Sequence, residues 1–393
     1  MKCYQRILML SPMSSFKSYT FLIALVFTTS CLTNESKQKK TISKLSKSNN
    51  DTIRTTISHP EFSGVGFLKC NSDRLFLIDE YFCRIHEFDE NLNYIQSHLD
   101  IGKGPNEIPS IQMVSFSDKQ IAVMEKTWRL HIYSKSWIKI KTLQFNFDTN
   151  TPYQELLKNP KPTDIGIYEI EYTHKQMQLL NDSILLIHII SDHPEFNSFF
   201  SPTYYKMAKT MALLNLNTGK IQNLLTPYPE IYQQYNFIPN FKYSYSSKIE
   251  DFIYYSFEAD PNIYRININS QVKDTISCPT SYQIPMKYPE TKTFESAEEN
   301  YNMHRKNYPY YGTMQPLSNK HNIARIYHTG KGKSFDVLQI IETKPIVTVQ
   351  ELSIPKNLYL SGVLKGNLVL ASTEENDKPG IDILIIPLQP MRK

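Results

Sequence analysis

Two short stretches set an arginine and a histidine side by side on one face of a strand. RIHEFD (84–89) and RLHIYS (129–134) stand 45 residues apart, so Arg84 matches Arg129 and His86 matches His131. Alternate strand residues share a face, and the matched positions make His86 and His131 notable. The same residues can serve the strands themselves, with Asp79 and Glu125 as expected carboxylate partners, and that structural role is the expectation. Other signatures of chemistry fall away. TGKGKS (329–334) has Tyr327 where a phosphate loop needs its first glycine, so it reads as a turn. HExxH, paired CxxC, GxSxG and GxGxxG do not occur, and the ten histidines show no metal-ligand spacing. No catalytic residue, metal or cofactor is expected.

Aromatic residues are the compositional excess, with 26 tyrosines and 20 phenylalanines. Many alternate along strands and read as core. Tyr204, Tyr205, Tyr310 and Tyr311 stand in stretches that read as loops. A flat ring with a polar tip suits sugar or peptide recognition, so these four are the candidate ligand contacts, with loop packing as the alternative.

The elements that must position these residues follow from the 45-residue step. Each copy holds four short runs bounded by Asn, Asp or Gly: 64–70, 74–80, 84–90 and 94–100, then 111–116, 120–126, 129–134 and 138–145. Four strands per period of ~40–45 residues mark a propeller blade. Further blades fit 183–225, 241–278, 323–354 and 358–388. The last has three strands, and residues 51–57 are expected to supply its fourth. The fold class is therefore all-β: a six-bladed β-propeller of four-stranded antiparallel blades over 51–393, with a short inserted helix. Insertions are expected at 191–210 and 281–312. Within the second, 290–307 lacks Gly and Pro and spaces Phe294, Ala297, Tyr301 and Met303 as an apolar helical stripe toward the propeller.

Residues 1–30 carry Lys2, Arg6 and Lys17, no acid, and an apolar run from Tyr19 to Phe27. This is the pattern of a signal peptide, and Met13 would serve as its start as well as Met1. Thr28, Thr29 and Ser30 before Cys31 resemble the lipobox of bacterial lipoproteins, which implies a lipidated Cys31 anchored in a bilayer. Residues 31–50, rich in Ser, Asn and Lys, read as a flexible tether. Without the three leader charges, the net charge of +5 falls to about +2, which gives no nucleic-acid footprint. Cys70, Cys83 and Cys278 remain, an odd number that specifies no disulfide framework.

IGKGPNEIPS (101–110) resembles the inter-blade loop of six-bladed, NHL-like β-propeller lipoproteins of Gram-negative bacteria. Gly102, Gly104, Pro105 and Glu107 match, while Asn106 and Ile108 replace a glycine and a phenylalanine. The resemblance implies the propeller and an outer-membrane-anchored envelope location, periplasmic or surface-exposed, but no activity. In the loop itself the glycines permit positive φ, the proline fixes the exit, and Glu107 is placed to cap backbone amides. The expected function is binding of a glycan or peptide; the alternatives are a hydrolase or lyase at the channel mouth, and a scaffold subunit of an envelope complex. The lipobox reading is checked by Cys31→Ser, which should move the protein out of the detergent phase. Unchanged membrane partitioning would contradict it.

Overall fold

The computed structural model describes the backbone of residues 41–44 and 348 and all of residues 52–282, 287–317, 322–343, 349–373 and 379–388. The expected leader and Cys31 lie outside the described residues. Six antiparallel sheets form the blades. The first runs Gly66–Asn71, Arg74–Asp79, Arg84–Phe88 and Tyr94–His98 from the axis outward. The second runs Met113–Phe116, Gln120–Met124, Arg129–Ser134 and Lys139–Gln144. The two RxH strands thus take the same third position, and the 45-residue step is one blade.

Burial follows that radial order. Both faces of a middle strand meet a neighbouring blade, so five of the six residues of Arg74–Asp79 are buried. The outermost strand Lys139–Gln144 alternates half-buried and exposed residues. Inter-blade cores result: Phe67, Phe76 and Ile78 pack on Val114, Ile121 and Val123, and Leu68, Leu75 and Leu77 pack on Val369, Ala371 and Ile383.

The third blade differs from the others at the axis. Its inner position is shared by Glu169–Ile170 and Met177–Leu179, both paired to Ile184–Ile190. The Glu171 amide still donates to the His188 carbonyl at 2.9 Å, and the five residues from Tyr172 to Gln176 leave the sheet. Lys209–Asn215 and Lys220–Pro227 complete this blade. The fourth blade is Ser244–Ile249, Phe252–Phe257, Ile263–Asn267 and Lys273–Ile276.

The fifth blade corrects one boundary. Its inner strand is Tyr310–Pro316, paired with Asn322–His328, so Tyr310 and Tyr311 are strand residues rather than the end of a loop. Asp336–Glu342 and Thr348–Ile354 follow, and Thr41–Lys44 adds a parallel strand at the outer edge. That strand falls within the stretch read as tether. The sixth blade, Leu358–Leu364, Asn367–Ser372 and Ile381–Pro387, is completed by Ile53–Ile57, which runs antiparallel to the last strand from Ile53↔Ile385 to Ile57↔Ile381. Chain start and chain end therefore share one sheet, and the ring is closed.

In an up-and-down blade, second-to-third connections and blade-to-blade connections emerge at the same end. The 191–208 insertion is of the first kind and the 277–309 insertion of the second, so both crown one face. They also touch: the Phe199 and Phe294 rings meet edge-on at 5.8 Å. The helix Phe294–Asn307 is capped by Thr293, whose hydroxyl accepts from the Ser296 amide at 3.1 Å. Its orientation follows the expected stripe in part. Ala297 is buried and Tyr301 half-buried, together with the polar His304, whereas Phe294 and Met303 are 58% and 48% exposed.

Ring closure yields a prediction. A chain beginning after Asn50 loses only the short parallel strand, whereas one beginning after Ser58 also loses a five-residue ladder worth about 1 kcal/mol net per hydrogen bond. The second should melt well below the first. Equal melting temperatures would contradict closure by Ile53–Ile57.

Candidate functional site

A cavity of about 800 Å³ runs along the axis, lined by the inner strands of all six blades. Its size lies within the roughly 300–1,000 Å³ typical of small-molecule sites. Polar side chains predominate on several walls: Ser115 from the second blade, Gln178 from the third, Ser246 and Ser247 from the fourth, and Thr313 and Gln315 from the fifth.

The break in the third blade's inner strand puts chemistry into this cavity. Glu171 turns the chain by accepting from the Thr173 amide at 2.7 Å, and Lys175 takes a positive φ of 52°. The excursion presents Thr173, His174, Lys175 and Gln176 to the channel. Lys175 forms an ion pair with Glu80 of the first blade and lies 5.1 Å from the Phe67 ring centre. Burial, then the Arg305 cation, holds the His174 imidazole well below its ordinary pKa, so it is neutral. Its Nε2 and the Gln178 Oε1 have no hydrogen-bond partner among the described residues.

Lys69 stands two residues beyond Phe67 on the first blade's inner strand, so both project to the same side of it. It is partly open to the channel yet enclosed by the ring, and that enclosure lowers its pKa to about 8. Two further titratable groups on the wall are neutral: burial raises the Cys70 thiol and pushes the Tyr359 hydroxyl up to about 12.

The crowned face is held by a second polar assembly. Arg305 of the insertion helix donates to the fully buried Glu258 at 2.5 Å, and the Tyr245 hydroxyl donates to the same oxygen at 2.9 Å. The Arg305 guanidinium also lies 3.6 Å from the Tyr310 ring centre. Burial pushes the Glu258 carboxyl up to about 7, against the pull of Arg305. Beside it on the helix, His304 meets Asn240 at 2.9 Å, and Asn240 also donates to the Ala297 carbonyl. The helix is therefore docked through polar contacts, which explains why its apolar residues Phe294 and Met303 face outward.

The four candidate tyrosines are placed by the same packing. Tyr204 and Tyr205 are fully buried in a cluster with Tyr228 and Tyr232, ring centres 5.1–5.8 Å apart. The Tyr205 hydroxyl accepts from the Ile238 amide. Tyr310 lies against Arg305, and Tyr311 lies 4.1 Å from the Arg325 guanidinium and accepts from the Thr280 amide. Their rings are occupied by protein, so the expectation of exposed ligand contacts gives way to packing. Length of insertion and aromatic content signalled a crowned face; they did not separate a ring offered to solvent from one that holds the crown in place.

The inter-blade loop is built around Glu107, whose Oε2 accepts from the Lys103 and Gly104 amides at 2.8 and 2.7 Å. Gly102 has φ 151°, and a Cβ there would lie 2.0 Å from Glu107 Oε2. The repeated histidines serve their blades. His86 contacts Ser97 at 2.7 Å and His131 contacts Thr142 at 3.0 Å, each across to the outer strand. The expected partner of Arg84 is corrected: it pairs with Glu61 and Asp100, because Asp79 is taken up by the Ser63, Tyr81 and Phe82 amides. Arg129 approaches Glu125 at 4.0 Å. Among the described residues Cys70, Cys83 and Cys278 form no disulfide.

Solved propellers resemble this chain in fold. A DUF4221-family protein from Bacteroides vulgatus superposes with a TM-score of 0.61 at 12% identity, over 85% of this chain and 95% of its own. An exported protein from Bacteroides fragilis superposes with a TM-score of 0.51 at 11% identity, over 90% of this chain and 100% of its own. At such identity the likeness extends to architecture alone. No family model matches the chain, and no curated protein does.

The buried ion pair supplies a test. Arg305→Ala leaves the Glu258 carboxylate buried without its cation, a loss that typically costs about 3–5 kcal/mol, and frees the helix. Lys306→Ala, one residue on and exposed, should change stability by less than about 0.5 kcal/mol. Denaturant melts that fail to separate the two would contradict the docking described.

Proposed function

We propose that the protein is a ligand-binding propeller of the bacterial cell envelope, lipid-anchored at Cys31 and taking a glycan or peptide into its axial channel. The observation that carries this reading is the cavity itself, with polar groups from the inner strands around the ring. A ligand whose polar groups meet these side chains exchanges hydrogen bonds to water for hydrogen bonds to the protein. The export implied by the leader agrees with the description of the Bacteroides fragilis neighbour as exported.

An active site at the axis would call for several acids and histidines converging there. Among the described residues the wall holds one carboxylate, Glu80, tied to Lys175, and one histidine, His174. That arrangement suits recognition better than hydrolysis or elimination.

A thermal-shift screen over envelope glycans and short peptides tests the proposal. A ligand at one hundred times its Kd should add about 2.7 kcal/mol of apparent stability. Gln315→Trp, which fills the channel from the fifth blade, should abolish the shift. A shift that survives this substitution places binding elsewhere, and the absence of any shift contradicts a glycan- or peptide-binding role.

A further inference from the structure

We infer that the axial channel is a receptor for a carboxylate, with the Lys69 ammonium as its charged anchor; this rests on the channel being the binding site and names the ligand's chemistry.

The argument is one of charge in an enclosed space. Six described residues of the wall can titrate: Lys69, Cys70, Glu80, His174, Lys175 and Tyr359. Cys70 and Tyr359 are held neutral by burial, and His174 is held unprotonated. Lys175 and Glu80 neutralise one another. Lys69 is left as an ammonium with no acidic partner among the described residues, and burial opposes its charge. A cation kept in such a place destabilises the fold, and an anion entering the channel reverses that.

Carboxylate is the anion the rest of the wall fits. Phe67 and Phe116 add apolar surface to the wall that carries Lys69, while the polar groups of the third, fourth and fifth blades stand across the channel. A ligand with a carboxylate at one end and hydroxyl or amide groups at the other satisfies both sides. Uronic-acid sugars and the free C-terminus of a short peptide share this chemistry.

The test sets each acid beside its neutral counterpart. Digalacturonate against its methyl ester, and acetyl-Gly-Gly-Phe against its C-terminal amide, would be titrated calorimetrically into the intact protein at pH 6.5 and 9.5. At least one acid should bind tenfold or more tighter than its neutral form at pH 6.5, and which acid does so identifies the source. Because only the protonated amine attracts the anion, the preference should shrink as pH rises through about 8. Lys69→Met should abolish the preference while raising the melting temperature of the free protein, since it removes an unpaired buried charge. Neutral forms binding as tightly as the acids, or a preference that survives in Lys69→Met, would overturn the inference while leaving the channel a binding site. No binding by any of the four probes at millimolar concentration would overturn it as well. A lower melting temperature in Lys69→Met with the acid preference intact would make Lys69 structural.

Discussion

The whole architecture depends on one ladder, the pairing of Ile53–Ile57 with Ile381–Pro387. A sheet edge left open inside a ring exposes unpaired backbone groups and lets neighbouring blades part. The closing strand and its partner lie far apart in sequence, so this ladder ties the sixth blade to the residues that lead into the first. The axial cavity exists only because that closure holds six inner strands around a common centre. Its wall is thus a property of the ring, contributed by residues from Ser63 to Ile381.

Stability and recognition are divided between two regions. On the crowned face, charged and aromatic groups satisfy one another: Arg305 with Glu258 and Tyr310, Arg325 with Tyr311, and Tyr204 and Tyr205 with their neighbours. Satisfaction is incomplete there too, since Glu258 Oε2 has no hydrogen-bond partner among the described residues, and the axis adds further cases. Among the described residues Lys69 lacks an acid, and His174 and Gln178 each keep an atom without a partner. Folding alone would favour an apolar residue at each of these positions. Local costs of this kind cluster where function requires them.

The fold was legible because blade strands are short, punctuated and repeated. The match of His86 with His131 at one-blade spacing survives in three dimensions as the same hydrogen bond to a hydroxyl on the outer strand. The three-stranded remnant at 358–388 pointed to 51–57, since an incomplete blade needs a fourth strand from somewhere. The fifth blade's inner strand was hidden because Tyr310 and Tyr311 follow a helix directly and read with it. The helix face was only half legible, for a related reason. An apolar stripe predicts the buried side only when the surface beneath is apolar, and here that surface presents Asn240 and Glu258. The candidate site was less legible still. Lys69 interrupts the apolar run GVGFLKC, a signal visible in the sequence, but its meaning depends on Lys175 and Glu80, which only the ring brings near.

The central claim is that Lys69 is an uncompensated amine facing a ligand channel, and its titration tests this most directly. In protein labelled at the lysine side-chain ε carbon, the Lys69 resonance, assigned by its loss in a Lys69 variant, should titrate with a midpoint near 8. Saturating carboxylate ligand should move that midpoint upward. A midpoint near the ordinary lysine value of about 10.4, unmoved by any carboxylate, would contradict the account.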